Sequence, residues 1–235
     1  MAYASERSRG YPRARGHNPL FGPFLLFVAL IMVAAGYVGY VLWPRWPGGP
    51  VSLQAPALPI VIGGTMFNVE PAAIRRAVQR KAGAQERIDL AYLWPSLAPP
   101  DGNAPDAEHP IDPNERLFVT IADGRDALAP AERIKTIYPR YLAGAASQFA
   151  EGRSLRAFRD GTPYQGEDLI YADNDPDFAA RCSRSGIGNS GMCLLQRRVG
   201  EADITVRFPR DWLSDWNKLL YGIDRVIARL HPEAG

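Results

Sequence analysis

The stretch LFGPFLLFVALIMVAAGYVGYVLW, residues 20–43, decides how the rest of the 235-residue chain is organised. It contains no charged residue. At 1.5 Å per residue, about 20 such residues span a hydrocarbon core of about 30 Å, and no soluble helix requires so continuous an apolar surface. We therefore predict a transmembrane helix over residues 20–43, held in the lipid bilayer by its large side chains: Phe24, Leu25, Leu26, Phe27, Leu30, Ile31, Val33, Val38 and Trp43.

The charges that flank this segment predict its orientation. Four arginines precede it and one follows it closely: Arg7, Arg9, Arg13, Arg15 and Arg45. Because basic residues concentrate on the cytoplasmic side of membrane helices, residues 1–19 are expected to form a cytoplasmic tail, with everything after residue 43 on the other side. A cleaved signal peptide is the alternative, since small residues occur at 34–36. The apolar run continues well past them, which favours an uncleaved anchor.

Residues 44–59, PRWPGGPVSLQAPALP, are too rich in proline and glycine for a helix or a central strand, so they predict a linker. Residues 60–235 then alternate strand and helix patterns. We predict one α+β domain with a mixed or antiparallel sheet packed by about three helices. PIVIGGTMFNV is interpreted as one strand interrupted by Gly63 and Gly64, followed by a helix from Pro71 to Arg80.

Three further elements of the predicted domain stand out. Pro130 is expected to begin a second helix that Pro139 ends or kinks, and GTPYQG to connect a hairpin. The last helix is predicted from an N-cap at Asp211 to Leu230. Its apolar residues recur every three or four positions, which indicates one buried face.

The overall charge argues against a nucleic-acid-binding protein. The formal net charge is +2, and the N-terminal tail accounts for it. The remainder is nearly neutral, without the basic balance typical of such proteins. The many arginines are scattered along the sequence, which indicates an ordinary solvated surface.

CSRSGIGNSGMC, residues 182–193, poses a choice between a cofactor loop and a closed loop. Its glycines have the GxGxxG spacing of dinucleotide-binding loops, but that fingerprint requires a helix immediately afterwards, and here a strand, a turn and a strand are expected. Cys182 and Cys193 are the only cysteines. Outside the cytoplasm such a pair is expected to oxidise, so we predict a structural disulfide and no dinucleotide.

The sequence lacks a complete catalytic or metal-binding motif. DNDPD places Asp173, Asp175 and Asp177 at the first ligand positions of a calcium loop, but Phe178 and Arg184 occupy positions that need glycine and an acid. The three histidines lie in a tail, a proline-rich loop and the C-terminus. We therefore expect no metal and no cofactor.

Several segments resemble those of a group of single-pass bacterial envelope proteins for which we know of no activity. They are IVIGGTMFNVEPAAIRRAVQR, RIKTIYPRYL, GTPYQGEDLIY and ITVRFPRDWL, and the likeness covers most of residues 60–230. The resemblance implies a bacterial inner-membrane protein with its C-terminal domain in the periplasm. It carries over no catalytic residue.

Two functions remain open from the sequence. The favoured one is a non-catalytic accessory or assembly protein that docks other envelope proteins, with Tyr138, Tyr141 and Tyr164 as candidate contacts because aromatic side chains supply much interface energy. The alternative is a periplasmic hydrolase of envelope glycans. Its acid and base would come from four carboxylates: Glu167, Asp168, Asp173 and Asp175.

Overall fold

The computed structural model describes residues 21–42, 51–100, 115–150, 152–172, 175–184, 186 and 191–232. The chain divides into two compact units, residues 1–49 and 50–235. Helix α1, Phe21–Leu42, belongs to the first. Its segment Gly22–Val41 has a mean hydropathy of 2.3 and is not buried in the protein. The predicted anchor side chains are exposed, with Phe24 63% accessible, whereas Trp43 lies outside the described residues. The helix is long and apolar enough to cross a membrane.

The second unit begins with a small sheet. Strands β1, Leu58–Ile62, and β2, Thr65–Val69, pair antiparallel and are joined by Gly63 and Gly64, while β3, Gly83–Ala84, runs parallel to β1. Both glycines have positive φ, which suits the tight turn of a two-residue hairpin. The prediction of a single interrupted strand over this segment is therefore wrong, because the glycine pair reverses the chain.

The helix predicted from Pro71 to Arg80 is also wrong. Only two short 3₁₀ helices form there, Pro71–Ala73 and Ala77–Gln79. Between them Ile74 is extended and bridges Leu90, and the Arg75 backbone N–H donates to the Asp89 carbonyl over 2.9 Å. Pairing with the sheet edge thus replaces the helical hydrogen bonds.

Within the described residues, eight antiparallel strands form the large sheet, in the spatial order β4-β5-β11-β10-β9-β8-β7-β6. The strands are β4 Arg87–Leu93, β5 Arg116–Asp123, β6 Ser147–Ala150, β7 Arg153–Ala157, β8 Glu167–Ala172, β9 Asp175–Ser183, β10 Met192–Val199 and β11 Ala202–Pro209. The hairpin predicted around GTPYQG is confirmed, since β7 pairs with β8. The predicted α+β class is confirmed as well, with a large antiparallel sheet and a few helices.

The second predicted helix is present but irregular. It consists of α2, Pro130–Glu132, a π-helical turn, Arg133–Ile137, and a 3₁₀ turn, Tyr138–Arg140. Pro139 has no N–H to donate and its ring crowds the preceding turn, so the regular helical ladder cannot continue up to it. We call residues 130–140 the cross-over helix.

The last helix, α3, is Trp216–Leu230. A 3₁₀ turn, Arg210–Asp215, precedes it, so the predicted N-cap at Asp211 lies inside that turn and the prediction is wrong. Most of the predicted apolar stripe is buried in the main core, and Trp212 and Leu220 pack against it partly buried: the buried members are Leu213, Trp216, Leu219, Ile223, Val226, Ile227 and Leu230. A Cβ on Gly222 would lie 2.7 Å from the Trp94 ring, so glycine lets that ring reach the helix backbone.

The small sheet attaches to the large one through their turns. The Glu201 backbone N–H, in the β10–β11 turn, donates to the Thr65 Oγ1 over 3.0 Å. Gly63 and Gly200 allow the close approach, because a Cβ on either would overlap atoms of the other turn. Both sheets and α3 therefore enclose one main core.

Candidate protein-interaction surface

The large sheet has two faces, which the strand register separates. One row of cross-strand neighbours lies entirely in the main core: Leu90, Val119, Val206, Leu195, Ala180 and Ile170. The next row alternates to the opposite side: Ala91, Phe118, Arg207, Leu194, Arg181 and Leu169. We call that side the second face. The second face carries charged residues as well as apolar ones, and different elements cover different parts of it.

An aromatic cluster covers the second face over β8 and β9. It consists of Tyr138, Tyr141, Phe158 and Tyr164, and it packs with Leu169 and Ala179. The Tyr164 ring centroid lies 4.9 Å from that of Phe158, 5.3 Å from that of Tyr138 and 5.5 Å from that of Tyr141. All three tyrosines singled out by the sequence thus meet in one place. Tyr138 is only 5% exposed and packs internally, whereas Tyr141 and Tyr164 are half-buried and keep an accessible edge.

An ion pair lies against this cluster. The Arg181 Nε is 2.7 Å from the Glu167 Oε2, and the Arg181 guanidinium lies 5.0 Å from the Tyr164 ring centroid. Burial raises the pKa of Glu167, although Arg181 opposes the shift. Burial likewise raises the pKa of Tyr138 against the opposing charges of Arg181 and Arg133. The covered half of the second face is therefore a packed region whose charges compensate one another.

The carboxylates of β8 do not form a catalytic pair. Adjacent residues on a strand point to opposite faces, and Asp168, 5% exposed, lies on the side of the main core away from Glu167. Its oxygens are 2.9 Å from the Arg184 Nε and 2.8 Å from the Arg210 Nη2. A glycoside hydrolase needs two carboxyl groups facing across one cleft. Glu167 and Asp168 do not fit that requirement, and Asp173 and the side chain of Asp175 lie outside the described residues.

Cys182 and Cys193 form a disulfide, as the sequence predicted, but its setting differs from a simple loop closure. The two residues are direct cross-strand partners on β9 and β10, with Cα atoms 4.0 Å apart, and both are buried in the main core. Strand β10 follows Gly191 at once, which confirms the predicted strand after the glycines. Residues 187–190 of that loop lie outside the described part. Among the residues that the structure describes, no group of three or more His, Cys, Asp or Glu residues is arranged to hold a metal ion.

Over β5 and β11 the second face is only partly covered: Phe118 and Thr120 are half-buried and Arg207 is exposed, whereas Asp89 and Ala91 of β4 are buried. We call this part, with the adjoining edge of β4, the open half. At its edge lies a depression of about 440 Å³ lined by Arg75, Arg76, Arg87 and Asp89. Arg75 and Arg76 are exposed and come from the extended segment between the two 3₁₀ helices, whereas Arg87 and Asp89 come from β4. The pairing of Ile74 with Leu90 brings these two segments together.

The Asp89 carboxylate already accepts several hydrogen bonds from within the domain. Its carboxylate accepts hydrogen bonds from Arg87 over 2.7 Å, from the Thr120 hydroxyl over 3.0 Å and from the Gln79 amide over 3.4 Å. Burial alone would raise the pKa of Asp89, but the bonds from Arg87, Thr120 and Gln79 outweigh it, and the pKa is lowered. The carboxylate stays ionised and is committed to Arg87.

Two arginines lie at the Phe118 ring: Arg75, which lines the depression, and Arg207 on β11. The Arg75 guanidinium lies 4.6 Å from the Phe118 ring centroid, and Arg207, exposed on β11, is the direct cross-strand neighbour of Phe118. Among the described residues, neither of these arginines nor Arg76 has a carboxylate within ion-pair distance. We call Arg75, Arg76, Arg87 and Arg207, with Phe118 between them, the basic face.

Other charges on this side of the sheet are already paired. Asp203 accepts from Arg133 over 3.2 Å and from Arg198 over 2.8 Å, which fixes the start of the cross-over helix to β11. Among the residues that the structure describes, the charges of Arg75, Arg76 and Arg207 thus have no acidic partner. Sequence reasoning missed this surface because its arginines come from three separated segments, although the alternating pattern of RLFVTIA and ADITVRF already places Phe118 and Arg207 on outward positions.

Comparison with known proteins identifies the fold. No protein-family model and no curated protein sequence matches the chain. A solved structure of an immunity protein of the Stenotrophomonas maltophilia type IV secretion system matches with a TM-score of 0.50 at 14% identity, covering 74% of this chain and 92% of that one. The Neisseria meningitidis iron-regulated outer membrane lipoprotein FrpD matches with a TM-score of 0.33 at 9% identity, covering 68% and 83%. The first likeness supports a shared α+β fold, whereas the TM-score of the second is too low to support one.

Proposed function

We propose that the chain is a non-catalytic envelope protein that binds other envelope proteins through its folded domain. The observation that carries this proposal is the open half of the second face, where exposed Arg75 and Arg207 lie at the Phe118 ring and Arg76 lines the adjoining depression. None of these three arginines has an acidic partner among the described residues. Arginine and aromatic side chains are enriched at the energetic centres of protein interfaces. The paired state of Glu167 and Asp168 supports a binding role over hydrolysis.

The proposed setting follows from α1 and the disulfide. Helix α1 acts as an uncleaved anchor in a bacterial inner membrane, with residues 1–19 in the cytoplasm, residues 44–59 as a linker and the domain in the periplasm. The length and hydropathy of the helix and the preceding arginines support this arrangement. The disulfide suits an oxidising compartment. The solved neighbour is named as an immunity protein rather than an enzyme, which agrees with a binding role for this fold.

Photo-crosslinking in intact cells tests the proposal. A photoreactive amino acid replaces Val78, which is 67% exposed beside Arg76, or Tyr221, which is 65% exposed on the outer side of α3. We expect the full-length chain to capture one defined envelope protein from position 78 and none from position 221. If no exposed position captures a protein, the binding role is wrong. If thiol labelling of a Cys182→Ser/Cys193→Ser chain with one cysteine introduced at position 221 occurs only after the inner membrane is opened, the proposed orientation is wrong.

A further inference from the structure

Arg75 of the basic face is held in place by contacts within the domain. The Arg75 backbone is tied to β4 by its hydrogen bond to Asp89, and its side chain lies on the Phe118 ring. The guanidinium of Arg80 donates to the Ile74 carbonyl over 3.0 Å, which holds the same segment from its other side. Side chains fixed before binding lose little conformational freedom when a ligand arrives. Arginine presents paired donors that match a carboxylate in two parallel hydrogen bonds.

The charge balance around the depression also selects an anion. Asp89, the acidic residue that lines it, is neutralised by Arg87 and by hydrogen bonds from Thr120 and Gln79. Arg75 and Arg76 therefore contribute net positive charge to the depression, and Arg207 adds to it across Phe118. Positive potential concentrated in a concave surface raises the local concentration of negatively charged partners and steers their approach.

The shape of the surface favours a protein over a lipid bilayer. Arg75 and Arg76 help to line a depression of about 440 Å³, and the Arg75 guanidinium lies over the Phe118 ring. A concave surface of this kind receives the projecting side chains of a protein more readily than the headgroups of a planar bilayer. The exposed apolar Val78 next to this depression adds the apolar contact typical of protein interfaces.

We infer that the basic face binds an acidic segment of a partner protein, whose Asp or Glu carboxylates pair with Arg75, Arg76 and Arg207 around Phe118. This inference rests on the proposed binding function and specifies its partner chemistry. Arg87 stays on Asp89 and supports the rim of the site. Because the contacts are ionic and accessible to water, binding weakens as salt increases.

The test measures binding of a fluorescently labelled oligo-glutamate peptide to the full-length chain in detergent micelles. The variant Arg75→Gln/Arg76→Gln is compared with Lys218→Gln/Arg225→Gln, which removes the same charge from α3. We expect roughly tenfold weaker binding for the first variant, as the loss of a charge-assisted pair predicts, and unchanged binding for the second. An oligo-glutamine peptide should not bind. If both variants lose the same affinity for oligo-glutamate, binding depends on net charge alone and the inference is overturned.

Two further measurements separate the possible outcomes. Vesicles of phosphatidylcholine alone and with an equal part of phosphatidylglycerol are offered to the same variants. Binding to the anionic vesicles that depends on Arg75 and Arg76, without binding of oligo-glutamate, would assign the site to lipid and overturn the inference. In cells, the position 78 crosslink should disappear in Arg75→Gln/Arg76→Gln and persist in Lys218→Gln/Arg225→Gln. A crosslink that survives in both variants would preserve the proposed function and reject this basic face as its site.

Discussion

The two halves of the second face differ in how their charges and rings are used. Over β8 and β9 an aromatic cluster packs onto the sheet, and Arg181, which lies over its Tyr138 and Tyr164 rings, is paired with Glu167. Over β4, β5 and β11 the Phe118 ring lies among the arginines of the basic face, of which Arg87 alone has an acidic partner in the part of the chain that the structure describes. The same sheet thus carries a covered half whose rings and charges pack together and an open half whose arginines stay exposed.

This difference predicts that the covered half stabilises the domain and that the open half binds a partner. Packed, compensated regions lose stability when they are altered, because apolar contacts disappear and cavities form. Exposed groups away from such features usually change stability little. Substitutions of equal size on the two halves should therefore separate the two roles.

The largest expected effect is the replacement of Phe158 by alanine in the covered half. Phe158 is 1% exposed and contacts both Tyr138 and Tyr164, so Phe158→Ala should lower the free energy of unfolding by about 4 kcal/mol. Phe118→Ala in the open half is the matched control and should cost about 1 kcal/mol, because its ring is only half-buried. Urea unfolding of the full-length chain, followed by tryptophan fluorescence, gives both values. Similar losses would mean that the open half is packed as firmly as the covered one.

The disulfide should contribute the next largest effect, since it joins β9 to β10 beneath the covered half. Cys182→Ser/Cys193→Ser should lower the free energy of unfolding by about 3 kcal/mol, because the bridge restricts the unfolded chain. Reducing agent should destabilise the wild type by a similar amount and leave the double variant unchanged. If wild type that has been unfolded and refolded in the presence of reductant keeps its full free energy of unfolding, the disulfide does not contribute to stability.

Local sequence patterns predicted the elements whose signals are local. The hairpin around GTPYQG and the buried stripe of α3 follow from turn residues and periodicity, and both are confirmed. The segment 71–80 was misjudged because its conformation is determined by pairing with β4, which is a tertiary contact. The basic face was missed for the same reason. Strands β5 and β11 are neighbours in space but far apart in the chain, so no local pattern places Arg207 beside Phe118.

A smaller effect is expected from the pH dependence of Glu167 in the covered half. Because burial raises the pKa of Glu167 above 4.5, the folded state binds a proton more readily than the unfolded state does. The stability that protonation supplies is present below the unfolded pKa and is lost as pH rises through the folded pKa. The wild type should therefore lose stability relative to Glu167→Gln as pH rises through this window, by less than about 1 kcal/mol because the pair is partly solvated. Urea unfolding of both chains over the acidic to neutral range measures the difference, and an advantage of the wild type that grows with pH would contradict the assignment.

The smallest change in stability is expected in the open half, and it is the most informative. Arg75→Gln/Arg76→Gln should alter the free energy of unfolding by no more than about 0.5 kcal/mol, because neither side chain has a described acidic partner to lose. Removing two like charges beside Arg87 relieves repulsion, so we expect any change in the free energy of unfolding, read from the same urea measurement, to be stabilising. A loss comparable to that of Phe158→Ala would show that these arginines support the fold. A neutral or stabilising result, together with lost oligo-glutamate binding, would mean that their role is exercised only when an acidic partner fills the depression.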